Sequence, residues 1–364
     1  MAQLELRNVS KTFGDEHAVQ DLSFTCKEGE FFCLLGPSGA GKSTTINLIT
    51  GIDSPTGGDI LLDGESIVDW SPQDRNFATA FENYALYPHF TVFKNMEFPL
   101  KAPVRAAEYS DKDRRDRVVQ VAEMLRIDEL LERLPRELSG GQRQRVALGR
   151  TLVRNPSIYL LDEPIAHLDA KLRHRMRGEL KKIQMELGIT TIYSTPDQLE
   201  ALSMADTILV LNQGKVEQIG TREEIYRTPK NLFVAQFVGD PPMNIVPVQY
   251  QDGELNGAIS IRLSQDDNKQ RAAAVENGKL LVGFRPKDIS FVSAESASSN
   301  AIGEVKVVES YGRTADVAIE LDAETIVKCK ITADKAPQVG EQVGCQIDQA
   351  NLSFFDAETI QRIQ

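Results

Sequence analysis

The spacing of apolar residues divides the chain into two parts with different predicted folds. In residues 1–238, short continuous apolar runs alternate with longer stretches at helical spacing. The clearest apolar runs are residues 30–35, 158–163 and 190–194, and such runs are typical of buried strands. Strands that alternate with helices predict an α/β domain built around one sheet.

A helical insert interrupts this alternation at residues 91–155. Val118, Val121, Ala122 and Leu125 recur at intervals of three and four, which is the spacing of one buried helix face. The charged run at residues 111–117 alternates in sign and is typical of a solvated helix start. We therefore expect a helical subdomain inside the α/β domain.

The pattern changes again after residue 238, where a predicted helix over residues 221–238 ends. Gly239-Asp240-Pro241-Pro242 is a plausible domain boundary, because glycine and proline interrupt regular structure. In residues 239–364, short alternating segments are separated by turns such as Asn277-Gly278. This pattern predicts an all-β barrel or sandwich, and it contains no phosphate loop or acid pair, so we expect it to act in recognition only.

Composition narrows the classes of partner. The chain has 364 residues and a formal net charge of -12, which argues against nucleic acid or an anionic membrane surface as the main partner. We expect no signal peptide and no membrane-spanning segment, since the chain has no apolar stretch of about 18 residues. The four cysteines form no C-x-x-C pair, which predicts buried reduced thiols of the kind found in a cytoplasm.

A phosphate-binding loop lies between a predicted strand and a predicted helix, in the context that this motif requires. Its backbone N–H groups would surround an anion, Lys42 would meet the β- and γ-phosphates of a nucleotide, and the Ser43 hydroxyl would meet Mg²⁺. The nine residues of the loop are Gly36, Pro37, Ser38, Gly39, Ala40, Gly41, Lys42, Ser43 and Thr44.

Two further elements carry candidate chemistry. Asp162 and Glu163 end a buried strand, at the edge where open α/β sheets bind ligands. Asp162 suits Mg²⁺, and Glu163 suits a general base that polarises a water molecule. Ser139 and the two glycines after it begin a predicted helix, so a second helix N-terminus with free N–H groups is expected.

Two aromatic features leave alternatives open. Phe13 could stack on a purine ring, or it could cap the core of a small antiparallel sheet. Residues 83–89 form an aromatic loop that is unusually apolar for a surface connection. This loop is either an exposed docking surface or a segment that packs inward.

The order of these motifs resembles the ATP-binding-cassette ATPases. Residues 160–164 and the Leu168-Asp169 pair follow that family's signature at the family's spacing. Residues 83–89, 241–244 and 284–288 resemble its carbohydrate-importer branch, the maltose-importer ATPase group. The signature itself is present as Leu138, Ser139, Gly140, Gly141 and Gln142.

The resemblance implies a fold, ligands and partners. It implies a P-loop NTPase cassette over residues 1–238 and a regulatory domain of OB type, the TOBE domain, over residues 239–364. Two such ATPases would dimerise head to tail around ATP and Mg²⁺. Phe13, Asp162 and Glu163 would face the ATP of this subunit, whereas Ser139 to Gln142 would contact the ATP of the partner and Asp169 would lie in the dimer loop.

The resemblance also implies a peripheral location on the cytoplasmic face of a membrane. Two permease subunits would dock their coupling helices against residues 83–89 and the helical insert, and an extracytoplasmic binding protein would deliver the solute. A sugar, or a polyol such as glycerol or a glycerol phosphate ester, is the expected cargo.

Two positions depart from the family's pattern. Glu82 stands where the family has a glutamine that touches Mg²⁺ and the attacking water, and Pro196 stands where it has a histidine that donates to the γ-phosphate. Glu82 can still ligate Mg²⁺ but cannot donate a hydrogen bond. Proline has neither a side-chain donor nor a backbone N–H. The sequence therefore predicts a site that binds ATP and hydrolyses it slowly.

Several arrangements fit these departures. The chain could pair with a different ATPase that has the missing groups, could form a slow homodimer, or could be a nucleotide-binding regulatory subunit that does not cleave its own ATP. A soluble cassette protein of translation or repair would carry two cassettes or a nucleic-acid surface, and the sequence has neither.

Overall fold

Strands and helices alternate in the first unit of the chain, as the apolar spacing predicts. The computed structural model describes residues 2–80, 86–102, 109–275 and 277–363, which fall into two compact units, Met1–Arg222 and Glu223–Gln364. The strands of the first unit are β1 (Leu4–Phe13), β2 (Glu16–Cys26), β3 (Phe31–Leu35), β4 (Gly57–Leu62), β5 (Glu65–Ser66), β6 (Phe77–Ala80), β7 (Ile158–Asp162), β8 (Thr190–Thr195), β9 (Thr207–Asn212) and β10 (Lys215–Gly220). Its helices are α1 (Lys42–Thr50), α2 (Val92–Glu97), α3 (Asp111–Met124), α4 (Gly140–Leu152), α5 (Ala170–Leu187) and α6 (Gln198–Met204).

The central sheet of this unit has the order β10-β9-β3-β8-β7-β6. Every residue of β3, β7 and β8 is buried, which explains their continuous apolar sequences. These three strands are parallel neighbours, with Leu35 opposite Thr195 and Asp162 opposite Ser194. Their carboxyl ends therefore meet at one edge of the sheet.

A second, antiparallel sheet has the order β2-β1-β4-β5. It shares a core with the central sheet and with α1, and the rings of Phe24 and Phe32 stack across this core with centroids 4.6 Å apart. The hairpin between β1 and β2 turns at Gly14, whose φ of 57° lies in the region that glycine adopts readily.

The predicted helical insert is present as α2, α3 and α4, which pack against one another. The predicted face of α3 is buried at Val118, Val121 and Ala122. Asn95 of α2 is fully buried and donates to the backbone carbonyls of Tyr87 and Phe90. The amide therefore fixes the segment before α2 to the insert.

The second unit is rich in β-structure, as predicted. Its two five-stranded sheets have the orders β13-β12-β11-β14-β20 and β15-β19-β16-β17-β18, and one apolar cluster joins them. The elements are α7 (Arg222–Arg227), α8 (Leu232–Phe237), β11 (Asn244–Gln251), β12 (Glu254–Gly257), β13 (Ser260–Arg262), α9 (Asp266–Ala273), β14 (Lys279–Phe284), β15 (Ile289–Val292), β16 (Ala301–Ser310), β17 (Thr314–Glu320), β18 (Ile326–Thr332), β19 (Gln342–Ile347) and β20 (Ser353–Asp356).

The β-rich unit begins at Glu223. Arg285 supplies the physical reason. It follows β14, and its buried guanidinium donates to the carbonyls of Tyr226, Ala235 and Val238 and lies 4.2 Å from the Tyr226 ring centroid. These contacts hold residues 223–238 against the β-rich unit, and burial lowers the pKa of Arg285 to about 10.

Three further expectations concern the 221–238 helix, the cysteines and membrane-spanning segments. The helix predicted over residues 221–238 is two short helices, because Pro229 cannot donate a backbone hydrogen bond between them. All four cysteines are buried free thiols, which confirms that prediction. Among the described residues, no helix has the length and apolarity needed to cross a membrane.

Candidate functional site

The candidate site lies where the carboxyl ends of β3, β8 and β7 meet. The phosphate loop follows β3, the 195–198 segment begins at the end of β8, and the acid pair ends β7. The Gly36 N–H donates to the Thr195 carbonyl at 3.3 Å, so the first two of these segments are in direct contact. The parallel register thus brings together three motifs that are far apart in the sequence.

Two positions of the phosphate loop have room only for glycine. A Cβ at Gly36 would lie 2.3 Å from the Leu211 carbonyl oxygen, and one at Gly41 would lie 2.6 Å from the Ala18 carbonyl oxygen. Gly41 is also the N-cap of α1, with a φ of 100° and no side-chain cap. The first-turn N–H groups of α1 therefore remain open to a ligand, as an anion site requires.

Lys42 is folded over the loop rather than extended into solvent. Its Nζ donates to the carbonyls of Gly36 and Pro37, both at 3.0 Å, and lies 3.3 Å from Glu163 Oε1. The side chain is only 4% exposed. A buried ammonium held by neutral carbonyls and one carboxylate is well placed to exchange them for phosphate oxygens.

The two acids at the end of β7 have different surroundings. Asp162 is buried, and its Oδ1 accepts from the Ser194 hydroxyl. Glu163 has a φ of 45°, an uncommon conformation for a residue with a side chain. Its N–H donates to Ser194 and its carbonyl accepts from Gln144 Nε2 at 3.3 Å, so the backbone at Glu163 is held from both sides.

A cleft of about 490 Å³ opens above the phosphate loop. The cleft is lined by most of the predicted phosphate-binding residues and by Glu163, whereas Asp162 is buried and does not line it. Its lining residues are Glu16, His17, Ala18, Ser38, Gly39, Gly41, Lys42, Ser43, Thr44, Glu163, Gln213 and Gly214.

Phe13 lies beside this cleft but does not line it. The residue ends β1 opposite Glu16, which does line the cleft, and its side chain is 48% exposed. Lys11 Nζ lies 4.8 Å from the centroid of its ring. The exposure argues against the alternative in which Phe13 caps the sheet core.

The signature residues begin α4 and are not among the residues that line this cleft. Ser139 is the exposed N-cap, and it forms a reciprocal capping box with Gln142, with Ser139 N donating to Gln142 Oε1 at 2.8 Å. Leu138 is buried, and Gly140 and Gly141 are partly exposed. Asp169 is likewise an exposed N-cap, of α5. Asp169, like the signature residues, does not line the cleft.

Part of the predicted site cannot be placed. Glu82 and residues 83–85 lie outside the described residues. Of the rest of the aromatic loop, Pro88 and His89 are exposed, whereas the Tyr87 ring packs on Phe98 with centroids 4.7 Å apart. Among the described side chains of this loop, Pro88 and His89 thus fit an exposed surface, whereas Tyr87 fits a segment that packs inward.

Residues that the sequence analysis missed also shape the site. Ser194 and Gln144 position the acid pair, and His17 lines the cleft while its Nδ1 lies 3.0 Å from Thr12 Oγ1. The available signal was weak. It consisted of a serine inside a fully buried strand and a polar residue on the buried face of α4.

Known proteins resemble this chain over its whole length. The trehalose/maltose import ATP-binding protein MalK of Thermococcus litoralis is 41% identical over 372 residues, which cover 99% of each chain. The sn-glycerol-3-phosphate import ATP-binding protein UgpC of Cupriavidus pinatubonensis is 40% identical, with both chains fully covered. The chain belongs to the family of ABC transporter ATP-binding proteins. The predicted resemblance is thereby confirmed.

The parts of this ABC protein match separate families. Residues 19–166 match the ABC transporter family, residues 239–289 the MalK OB fold domain and residues 301–354 the TOBE domain. A solved ATP-binding cassette dimer in a post-hydrolysis state with ADP and Pi is 32% identical with a TM-score of 0.55. The match covers 60% of this chain and 98% of that one. The predicted cassette with a C-terminal OB-type domain is confirmed, and the chain is an ATPase of this family.

Proposed function

We propose that this chain is the ATP-binding subunit of a membrane importer for a sugar or polyol, and that it forms the impaired half of a heterodimeric ATPase pair. The importer assignment rests on one observation: a cleft lined by Lys42, Ser43 and Glu163 occurs in a chain that matches import ATP-binding proteins over 99–100% of both lengths. Glycerol phosphate is a candidate cargo because the relative from Cupriavidus pinatubonensis is named as an sn-glycerol-3-phosphate import protein.

In this proposal the predicted site residues in and beside the cleft have separate tasks. The phosphate loop from Gly36 to Thr44 binds the phosphates of ATP through its backbone, and Lys42 exchanges its carbonyl contacts for β- and γ-phosphate oxygens. The Ser43 hydroxyl and the Asp162 carboxylate fit Mg²⁺, which prefers oxygen ligands and supplies charge neutralisation at the phosphates. Phe13, exposed at the hairpin tip, stacks on the adenine.

Glu163 serves as the general base for the attacking water. Its carboxylate reaches the cleft and its backbone is fixed by Ser194 and Gln144, so the position is preorganised. Lys42 contacts Glu163 Oε1 at 3.3 Å, and when it turns toward phosphate it leaves that oxygen open to the attacking water. Nucleotide binding thereby releases the base.

The signature residues and Asp169 complete the site of a partner. Residues 138–142 begin a helix whose N-terminus and exposed Ser139 suit the γ-phosphate of an ATP held by the partner. Asp169 lies on the dimer surface in this arrangement. Exposed Pro88 and His89 and the helical insert receive the coupling helix of a permease subunit at the cytoplasmic face of the membrane.

Impairment of this chain's own site is supported by Pro196 and Glu82. Pro196 follows Thr195, whose carbonyl contacts the phosphate loop, so the missing donor falls beside the phosphates. Loss of one preorganised donor lowers the rate by roughly 10²–10³. An ionised carboxylate at position 82 would add on the order of 3 kcal/mol of repulsion if it came to about 5 Å from a phosphate, at an effective dielectric near 20 and before Mg²⁺ offsets it.

Vanadate trapping distinguishes this proposal from its alternatives. The chain is mixed with the cassette ATPase encoded beside it, and trapped photoreactive nucleotide is assigned to one subunit. The heterodimer predicts a complex with label on the partner. Label on this chain contradicts the impaired site, absence of a complex favours a slow homodimer, and a complex without trapping favours a regulatory subunit.

A further inference from the structure

Arg173 joins two loops at the edge of the nucleotide site. It lies in the first turns of α5, and its Nη2 donates to the Ala166 carbonyl at 2.8 Å and the Leu168 carbonyl at 3.2 Å. Its Nη1 lies 3.6 Å from Asp197 Oδ2. One guanidinium thus touches both the 166–169 loop before α5 and the 195–198 segment before α6.

Asp197 is in turn connected to the phosphate loop. Asp197 accepts from the Leu199 N–H at 2.8 Å as the N-cap of α6, and its own N–H donates to Thr195 Oγ1 at 3.0 Å. The Thr195 hydroxyl donates to buried Glu200, and the Thr195 carbonyl accepts from Gly36. Asp197 is therefore connected to Gly36, the first residue of the phosphate loop, through hydrogen bonds to Thr195.

Stability alone does not account for the arrangement. The side chains of Arg173 and Asp197 are 32% and 27% exposed, and ion pairs of that kind contribute little to folding. Arg173 Nε is buried and has no hydrogen-bond acceptor among the described residues. The Arg173 guanidinium instead fixes the relative positions of the two loops, because only arginine can hold two carbonyls and a carboxylate with one rigid planar group.

We infer that Arg173 is a positioning residue that couples the subunit interface to the nucleotide site. The inference rests on the proposed function, in which Asp169 of the 166–169 loop faces the partner and the 195–198 segment borders the phosphates. Contact with the partner fixes the 166–169 loop, and Arg173 passes that constraint to Asp197. Nucleotide binding and subunit association then favour each other, as linkage between two sites requires.

The test uses the full chain with Arg173→Met, Arg173→Lys, Asp197→Asn and the double variant. Asparagine caps a helix as well as aspartate, so Asp197→Asn removes the charge and keeps α6 capped. Two quantities are measured for each protein. They are the affinity of the isolated subunit for Mg-ATP, and the ATP-dependent association with its ATPase partner by sedimentation.

We expect unchanged Mg-ATP affinity for the isolated subunit and about tenfold weaker ATP-dependent association for Arg173→Met, within the usual range of coupling between sites. Asp197→Asn should weaken association similarly, the double variant should be no worse than Arg173→Met, and Arg173→Lys should recover only part of the loss. Association equal to wild type in Arg173→Met overturns the inference. Weakened Mg-ATP binding in step with a lower unfolding temperature also overturns it, since that result indicates a structural role.

The proposed function fails in a different way. If the wild-type chain binds no Mg-ATP, or shows no ATP-dependent association with itself or the partner, the nucleotide-driven pairing is wrong. If the wild type does both and the Arg173 variants match it, only the coupling role is wrong.

Discussion

Replacement of Pro196 by histidine should restore a hydrogen-bond donor to this chain's own ATP site. Pro196 is exposed and directly follows Thr195, whose carbonyl lies 3.3 Å from the Gly36 N–H. In the proposed function position 196 lies near the phosphates, and because Pro196 is exposed, its replacement should not disturb the buried strand β8. Pro196→Phe is the matched control, because it adds a ring and a backbone N–H but no side-chain donor.

One preorganised donor aimed at developing charge changes the rate by roughly 10²–10³. The repulsion assigned to Glu82, about 3 kcal/mol before Mg²⁺ offsets it, remains in the single variant and limits the absolute rate. The ratio of kcat for Pro196→His to kcat for Pro196→Phe does not depend on that repulsion, because both proteins keep Glu82. We expect this ratio of kcat to be about 10², with a further rise when Glu82→Gln is added.

The assay is steady-state ATP hydrolysis by the pair in which the partner's own phosphate loop is disabled, so that only this chain's site is counted. Bound Mg-ATP is measured in parallel to confirm equal occupancy. Equal rates for Pro196→His and Pro196→Phe at equal occupancy would refute the reasoning that a missing donor limits the site.

Three further predictions concern single side chains. Lys42→Ala should weaken Mg-ATP binding by at least about tenfold, measured by titration calorimetry, because it removes the cation of the cleft; unchanged affinity would contradict its role. Glu200 accepts hydrogen bonds from Tyr193 and Thr195 in a buried site, and burial raises its pKa above the ordinary 4.5. The stability that Glu200 contributes is thus present below pH 4.5 and is lost as pH rises through the raised pKa. Because glutamine does not titrate, the unfolding free energy of Glu200→Gln should increase relative to that of wild type as pH rises from 4.5 to 7.5. Denaturant titrations that show the same difference in unfolding free energy at pH 4.5 and at pH 7.5 would exclude this. Arg285→Met should lower the unfolding free energy by about 2–4 kcal/mol, because three carbonyls lose their donor, and a loss no larger than that of an exposed arginine would argue against the contact.

The sequence was sufficient where a function depends on adjacent residues. Gly36 to Thr44 carry their own turn, helix start and cation, so their arrangement follows from the local order. Residues 170–187 were predictable as a helix up to Leu187, because Gly188 with a φ of 62° ends it. The α/β character of the first unit followed from the continuous apolar runs of β3, β7 and β8.

Other features depend on contacts between distant segments. Ser194 reaches Asp162 only through the register of β7 and β8, and Arg285 reaches Ala235 across 50 residues. Strand β11 contains Pro247, a residue that disfavours a strand in sequence reasoning, yet that proline is exposed and the strand continues past it. No local pattern contains this information.

Turnover by the purified wild-type chain, with bound nucleotide measured in the same sample, tests the central claim most directly. We expect the chain to retain Mg-ATP while hydrolysing it far more slowly than about 1 s⁻¹, the lower end of ordinary enzyme turnover. Hydrolysis at several turnovers per second by this chain alone would contradict the claim that its own site binds ATP but cannot cleave it efficiently.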